Sequence, residues 1–172
     1  MKPEELHLRF YGDPVLRQKA RDVTVFDKAL AKQADTMFEV MYENDGIGLA
    51  GNQVGLLARL IVLDVSLDEE NRVRMALCNP RIITRAGEET AEEGCLSIPE
   101  VRADVTRPDV LTVEAEALDG KTIRFEAEGL LARAIQHEID HLDGVLFIDR
   151  ISATRRKMLE GRLKEIARET SS

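Results

Sequence analysis

Two histidines four positions apart, with a glutamate directly after the first, are the residues of this sequence best suited to chemistry. His137, Glu138 and His141 fall within residues 129–144. Gly129 and Gly144 predict the two ends of a helix here, because glycine tolerates the left-handed backbone conformation that often ends a helix. On a helix of about 100° per residue the two imidazoles project from one face. They can share a metal ion at about 2 Å, and Glu138 can reach a water on it. The pattern predicts a helical metal site of hydrolase type.

The other residues of this helix predict which face is buried. Four polar residues fall within roughly 80° of one another and form a stripe that we expect to face solvent: Arg133, Gln136, Asp140 and Asp143. The opposite arc is apolar: Leu130, Leu131, Ala134, Ile135 and Leu142. The two histidines and Glu138 lie off the stripe, among apolar residues, where an unpaired charge would be very costly. A divalent metal would compensate that charge.

A third metal ligand is needed, because catalytic sites commonly use three protein ligands and a water. The downstream candidates, Glu160, Glu165 and Glu169, belong to a helix with the pattern of a solvated surface. Cys95, upstream, lies in a turn with neighbouring backbone donors, and a metal would lower the pKa of its thiol. Cys95 is the better ligand. A zinc endopeptidase with a downstream glutamate, or a purely structural metal, remains an alternative.

A glycine-rich segment, residues 46–55 (GIGLAGNQVG), precedes these motifs. It has neither the Gly-Lys-Ser/Thr ending of a phosphate-binding loop nor a Rossmann glycine spacing. Alternating glycine and apolar residues suit an extended segment whose backbone closely approaches a ligand. Gln53 carries both a donor and an acceptor there.

Hydrophobic periodicity predicts an α+β fold, with the metal-binding helix packed within antiparallel sheets and a C-terminal helix. The helical patterns cover residues 26–43, 129–144 and 153–168. The strand patterns cover 60–65, 73–80, 81–84, 101–106, 110–117, 122–127 and 145–148. Asp119-Gly120 predicts a hairpin, which favours antiparallel pairing. No linker or repeat divides the chain, so residues 1–172 are expected to form a single catalytic domain.

Composition restricts the partners and the compartment. A net charge of −8 argues against direct DNA binding, which needs a positive surface. The N-terminus has no apolar run suited to a signal peptide or a membrane span. Two cysteines do not make a disulfide framework, and Cys78 has the pattern of a buried strand residue. We therefore expect a cytoplasmic protein that binds no membrane.

Three blocks of this sequence resemble the three signature motifs of the peptide deformylase family. They are residues 46–53 (GIGLAGNQ), 93–97 (EGCLS) and 136–141 (QHEIDH), in the family's order. The similarity extends over nearly the whole chain. The first block departs from the family at Gly51, where alanine is usual, and this change removes no functional group. The resemblance implies a metal-dependent hydrolase that removes the formyl group from the N-terminal formylmethionine of new polypeptides and releases formate.

The resemblance also implies roles for individual residues. The metal ligands would be Cys95, His137 and His141, and the metal is typically Fe²⁺, often replaced by Zn²⁺, Ni²⁺ or Co²⁺. Glu138 would act as general base and then general acid. Gln53 and the backbone N–H of Leu96 would stabilise the oxyanion, and Gly48 would pair with the substrate backbone. The basic C-terminal helix would be able to dock on the ribosome, as in bacterial family members.

The methionine side chain of such a substrate needs an apolar pocket. From the sequence alone we assign this pocket to Ile47, Ile98, Leu131 and Ile135. Arg102, just after the cysteine turn, is a candidate to bind a substrate carbonyl.

Overall fold

The predicted metal helix is the central element of the computed structural model, which describes residues 2–172. This helix, α2, spans Gly129–Leu142, and Asp143 is its C-cap residue. Gly129 and Gly144 both have positive φ, at 59° and 75°, as expected for glycines that delimit a helix. One face of α2 packs on a sheet through Leu131, Ala132, Ala134, Ile135 and Leu142.

The main sheet has five strands, and every neighbouring pair is antiparallel. Its strands lie in the spatial order β1-β2-β3-β6-β7. Their bounds are β1 Gly48–Ala50, β2 Leu60–Ser66, β3 Arg72–Ala86, β6 Val110–Glu116 and β7 Thr122–Glu128. The glycine-rich segment thus supplies the short edge strand β1, followed by one 3₁₀ turn at Gly51–Val54. The two strands predicted within residues 73–84 are one long strand with two register shifts.

Strand β2 shows why this sheet has a helix on each face. Its residues Ile61, Leu63 and Val65 pack in the same cluster as α2. The alternate residues Leu60 and Val62 pack against helix α1, which spans Lys28–Glu43. Because successive strand residues point to opposite faces, the consecutive apolar residues Leu60 to Leu63 must be covered on both sides.

A separate two-stranded sheet carries the cysteine turn. Strand β4 spans Glu89–Cys95 and pairs antiparallel with β5, Ile98–Arg107. The turn between them is Leu96-Ser97. Sequence patterning missed β4, because its residues are mostly charged or small and do not alternate. The cysteine turn and β5 pack against the segment that follows α2. The buried or partly buried residues of this contact include Cys95, Ile98, Val101, Phe147 and Ile148.

The predicted strand at residues 145–148 is wrong, since Phe147–Asp149 forms a 3₁₀ turn. The Asp149 carboxylate accepts a hydrogen bond from the Leu146 N–H at 2.9 Å, which closes the backbone locally. Leu146, Phe147 and Ile148 are all buried, a run without the alternation of a surface strand. The final helix α3, Ala153–Ser171, begins at Ser152, whose hydroxyl accepts from the Arg155 N–H. These elements confirm the α+β fold and the C-terminal helix.

None of the helices within residues 2–172 combines the length and the apolar character that crossing a bilayer requires.

Helix α3 provides a test of which of its apolar residues hold it in place. Leu163 is 3 % exposed and packs with β5, whereas Met158 on the same helix is 69 % exposed. We expect Leu163→Ala to lower the free energy of unfolding by about 2–4 kcal/mol, because it leaves a cavity. Met158→Ala should change it by less than about 0.5 kcal/mol. Urea unfolding of both variants measures the difference, and equal losses would contradict this packing.

Candidate active site

Three side chains from two distant parts of the chain converge beside α2. The sulfur of Cys95 lies 3.3 Å from Nε2 of His141, and the two histidine Nε2 atoms are 3.3 Å apart. The ligand atoms of Cys95, His137 and His141 all lie within 4.8 Å of one another. Helix α2 supplies the histidines one turn apart, and the end of β4 supplies the cysteine. The three residues predicted to hold a metal are therefore adjacent.

The donor set and its spacing fit a divalent metal ion. Atoms bound at about 2.0–2.3 Å to one tetrahedral ion lie roughly 3.3–3.6 Å from each other, near the observed separations. One sulfur and two imidazole nitrogens are ligands typical of zinc and of other first-row transition metals. His137 and His141 are 9 % and 1 % exposed, so water gives little stabilisation to a charge there. The cluster can thus act as a three-ligand site.

A buried carboxylate fixes the orientation of His137. Oε1 of Glu93 accepts a hydrogen bond from Nδ1–H of His137 at 3.0 Å, which leaves the Nε2 lone pair facing the cluster. Phe147 stacks on the same imidazole, with ring centroids 6.0 Å apart. Such partners hold a ligand histidine in one tautomer and one orientation.

Glu93 has three further hydrogen bonds, all from arginines. Arg107 donates to both of its oxygens, at 2.6 and 3.0 Å, and Arg133 donates to Oε2 at 2.6 Å. Burial by itself would raise the pKa of Glu93, but the hydrogen bonds from His137 and Arg107 outweigh it and lower the pKa to about 2. Glu93 therefore remains ionised, and the carboxylate that orients His137 keeps its charge.

Asp143 is exposed as expected, but the rest of the polar stripe of α2 is not. Arg133 and Gln136 are buried, because Arg133 reaches Glu93 and two backbone carbonyls, and Gln136 donates to the carbonyl of Pro108. Asp140 is shared by Arg107 and Arg150. Arg133 and Asp140 thus face the two-stranded sheet, where Arg107 and backbone carbonyls of β4 and β5 are among their partners.

Glu138 lies beside the cluster and has an unpaired buried oxygen. It is 5 % exposed, and among the described residues its Oε1 has no hydrogen-bond partner. Burial raises its pKa to about 7. A Cβ added at Gly48 would lie 2.6 Å from Oε2 of Glu138, so a side chain at position 48 would displace the carboxylate. This geometry explains the need for glycine on strand β1.

Gln53 reaches the cluster from the 3₁₀ turn that follows β1. Its Nε2 lies 3.5 Å from the Cys95 sulfur, and its side chain is almost fully buried. Leu96 follows Cys95 directly and lines the same cavity as Gln53. The two residues predicted to stabilise an oxyanion thus flank one sulfur.

A cavity of about 670 Å³ opens onto Glu138 and His137. Of the residues predicted to contact substrate, Ile47, Gly48, Ile98 and Arg102 line it. Leu131 and Ile135 do not, and their assignment to the methionine pocket is wrong: both are buried between α2 and the sheet. The residues of α2 that face the cavity are Leu130, Arg133, Ala134, His137 and Glu138.

Sequence reasoning missed Glu93, Arg107 and Arg133 as functional residues. Glu93 stands two positions before Cys95 inside a recognised motif, so its place was available as a signal. Arg107 gave no local signal, because only the β4–β5 pairing brings it next to α2. Helical periodicity predicts that Arg133 faces solvent, because it does not distinguish water from a polar neighbour.

The chain is similar to proteins of one family over nearly its whole length. Residues 6–157 match the family model described as polypeptide deformylase. A peptide deformylase of Acidobacterium capsulatum is 50% identical over 92% of this chain and 93% of its own. A peptide deformylase structure from Thermus thermophilus superposes with a TM-score of 0.88 at 40% identity, covering 95% of this chain and 98% of its own. The structure of a Synechococcus elongatus peptide deformylase in complex with actinonin superposes with a TM-score of 0.82 at 44% identity. It covers 96% of this chain and 88% of its own.

Glu93 and its exposed neighbour Glu92 form a matched pair for testing the role of the buried carboxylate. Glu93→Gln should weaken metal binding about 10- to 100-fold, because His137 loses the charged acceptor that orients it. It should also destabilise the fold by about 3 kcal/mol or more, since Arg107 and Arg133 lose their buried counter-charge.

Glu92→Gln is the control for this test, since Glu92 forms an exposed ion pair with Arg102. It should alter stability by less than about 1 kcal/mol and leave metal affinity unchanged. Competition with a chelator and urea unfolding measure the two quantities. Equal metal affinity in the two variants would contradict the role of Glu93.

Proposed function

Because this chain belongs to the peptide deformylase family, we propose that Cys95, His137 and His141 hold the metal of a deformylation site and that Glu138 moves its protons. The protein is a hydrolase that removes the formyl group from the N-terminal methionine of polypeptides. The observation that carries the proposal is the convergence of one sulfur and two imidazole nitrogens within 4.8 Å, beside a buried carboxylate.

We propose Fe²⁺ as the resident metal, with Zn²⁺, Ni²⁺ or Co²⁺ as substitutes. A divalent ion held by these residues would supply Lewis acidity and lower the pKa of a water towards neutrality. The mixed sulfur and nitrogen donor set supports a first-row transition metal over Mg²⁺ or Ca²⁺, which prefer oxygen ligands. Metal analysis of protein purified without oxygen tests the assignment: stoichiometric iron supports it, and stoichiometric zinc with no iron contradicts it.

Glu138 is proposed as general base and then general acid. Burial brings the pKa of its carboxyl to about 7, where it can both accept and release a proton near neutral pH. It takes a proton from the attacking water. It then gives the proton to the amine nitrogen as the carbon–nitrogen bond of the formyl amide breaks, which leaves formate and a free N-terminus. Its unpaired Oε1 is available for this exchange.

Gln53 and Leu96 are proposed to stabilise the oxyanion that forms on the formyl oxygen. The amide Nε2 of Gln53 already lies beside Cys95, and the backbone N–H of Leu96 directly follows that residue. Donors of this kind are worth about 3 kcal/mol each, because they are in place before the charge develops. The formyl carbon carries a hydrogen where an acetyl carbon carries a methyl group, so a tight cavity can exclude acetyl groups by their size.

The remaining cavity residues are proposed to bind the substrate peptide. Strand β1 lies at an edge of the main sheet, so backbone around Gly48 can pair with an extended peptide. Ile47 and Ile98 offer apolar surface for methionine, together with Leu130 and Ala134. Arg102 lies at the cavity with its guanidinium paired to Glu92, from where it can reach a substrate carbonyl. We also propose that residues 1–172 act as one catalytic domain in the cytoplasm.

Three substitutions separate deformylation from a downstream-ligand peptidase and from a structural metal site. Glu138→Ala should lower turnover of formyl-Met-Ala-Ser by about 10²- to 10⁴-fold and keep the metal, because it removes only the proton carrier. Cys95→Ala should lose the metal, whereas Glu160→Ala should keep it.

Formate release and metal content measure these outcomes. The reverse pattern for Cys95 and Glu160 would indicate a downstream glutamate ligand. Full turnover in Glu138→Ala would exclude the proposed proton transfer.

The basic surface of α3 supports a proposal that the protein docks on the ribosome, whose RNA is anionic. Exposed cations of this helix include Lys157, Lys164 and Arg168. Replacing all three by glutamate should abolish co-sedimentation with ribosomes at low salt and leave turnover of short peptides unchanged.

The matched control for this test carries the same charge change elsewhere, at Lys19, Lys28 and Lys32, which are also exposed. It should co-sediment like the wild type. Equal loss in both triple variants would indicate only a net-charge effect and would overturn the docking site.

A further inference from the structure

The carboxamide of Gln53 is held at both ends. Its Oε1 accepts a hydrogen bond from the backbone N–H of Ala50 at 3.0 Å, and its Nε2 donates to the Ser97 hydroxyl at 3.1 Å. Gln53 is 1 % exposed and Ser97 is fully buried, so water does not compete for either bond. The oxygen and nitrogen ends of the amide therefore cannot exchange without losing the contact with Ala50, because a backbone N–H can only donate.

The contact with Ser97 determines where the second amide proton points. Nε2 carries two protons, and Ser97 accepts one of them. The remaining contact of Nε2 is with the Cys95 sulfur at 3.5 Å, a long and weak hydrogen bond. A substrate oxyanion beside Cys95 can replace this weak acceptor at little cost. Ser97 thus accepts one proton of Nε2 and directs the other towards Cys95 and the site.

The N-terminal segment joins the backbones of the same two residues. Arg9 N–H donates to the Gln53 carbonyl at 2.7 Å, and Tyr11 N–H donates to the Ser97 carbonyl at 2.8 Å. Tyr11 also packs in the apolar cluster that contains Cys95 and Ile98. Residues 9–11 bridge the 3₁₀ turn after β1 and the cysteine turn.

We propose that Ser97 is a positioning residue for Gln53, and that residues 9–11 fix the two backbones that carry this pair. The inference rests on the proposed function, because it assigns Ser97 an effect only through the oxyanion donor. Ser97 itself does not touch the substrate. Without its hydroxyl, the Gln53 amide loses the acceptor that orients it, and the free N–H no longer points reliably to the developing charge.

A double-mutant cycle on the metal-loaded enzyme tests this positioning role. Gln53→Ala should lower kcat about a hundredfold, and Ser97→Ala about tenfold, each with KM changed less than about threefold, because the lost interaction forms only in the transition state. The double variant should be no slower than Gln53→Ala alone, since Ser97 has no effect once Gln53 is absent.

A structural readout on the zinc-loaded protein accompanies the kinetics. The side-chain amide resonances of Gln53, identified by their absence in Gln53→Ala, should shift in Ser97→Ala. The control is Thr106→Val, which removes another hydroxyl from β5, one that bonds Thr90 on the protein surface. It should leave kcat, KM and these resonances unchanged. Thermal unfolding and metal content establish that each variant is folded and loaded.

The outcomes distinguish failure of the oxyanion role of Gln53 from failure of the positioning role of Ser97. If Gln53→Ala keeps full turnover, the oxyanion role itself fails, and the positioning role fails with it. If Gln53→Ala is slow while Ser97→Ala matches the wild type, only the positioning role is overturned. Multiplied losses in the double variant also overturn it, because they show that Ser97 acts independently of Gln53.

Discussion

The interaction on which the rest of the site depends is the buried ion cluster of Glu93, Arg107 and Arg133. Glu93 lies on β4, Arg107 on β5 and Arg133 on α2, so one carboxylate joins the small sheet to the central helix. Each oxygen of Glu93 accepts two hydrogen bonds. Three of these four bonds come from the two arginines and one comes from His137. A buried charge is tolerated only when it is paired and fully hydrogen-bonded. This cluster meets that condition and couples folding to the geometry of His137, a proposed metal ligand.

The consequence for function is that residues far apart in the sequence meet within a few ångströms. Cys95 follows Glu93 on the same hairpin, and His137 follows Arg133 by one helical turn. Because Glu93 and Cys95 lie on one strand, the contacts of Glu93 with α2 also hold the Cys95 sulfur near the imidazoles. Glu138, on the same helix, faces Gly48 on the edge strand, so the main sheet defines the remaining side of the site. The β4–β5 hairpin, helix α2 and the edge strand β1 thus together position the residues of the site.

Much of this architecture could be predicted because strong periodicity marks it. Helices α1, α2 and α3 and most strands of the main sheet followed from apolar spacing, and the resemblance of three short motifs indicated the family. Strand β4 was missed because its stability comes from pairing with β5 and from ion pairs, and neither leaves an apolar pattern. Leu131 and Ile135 were misassigned for a related reason: periodicity gives the apolar face of a helix, but it does not tell a core from a cavity. The contacts of Arg107, Ser97 and residues 9–11 depend on tertiary structure alone.

The central claim is that one sulfur and two imidazoles bind a single metal ion. X-ray absorption spectroscopy at the zinc edge of the zinc-substituted protein tests it directly. The expected spectrum contains one sulfur scatterer at about 2.3 Å and two imidazole nitrogens at about 2.0–2.1 Å, the distances typical of zinc sites. A first shell of oxygen and nitrogen atoms without sulfur would contradict the account.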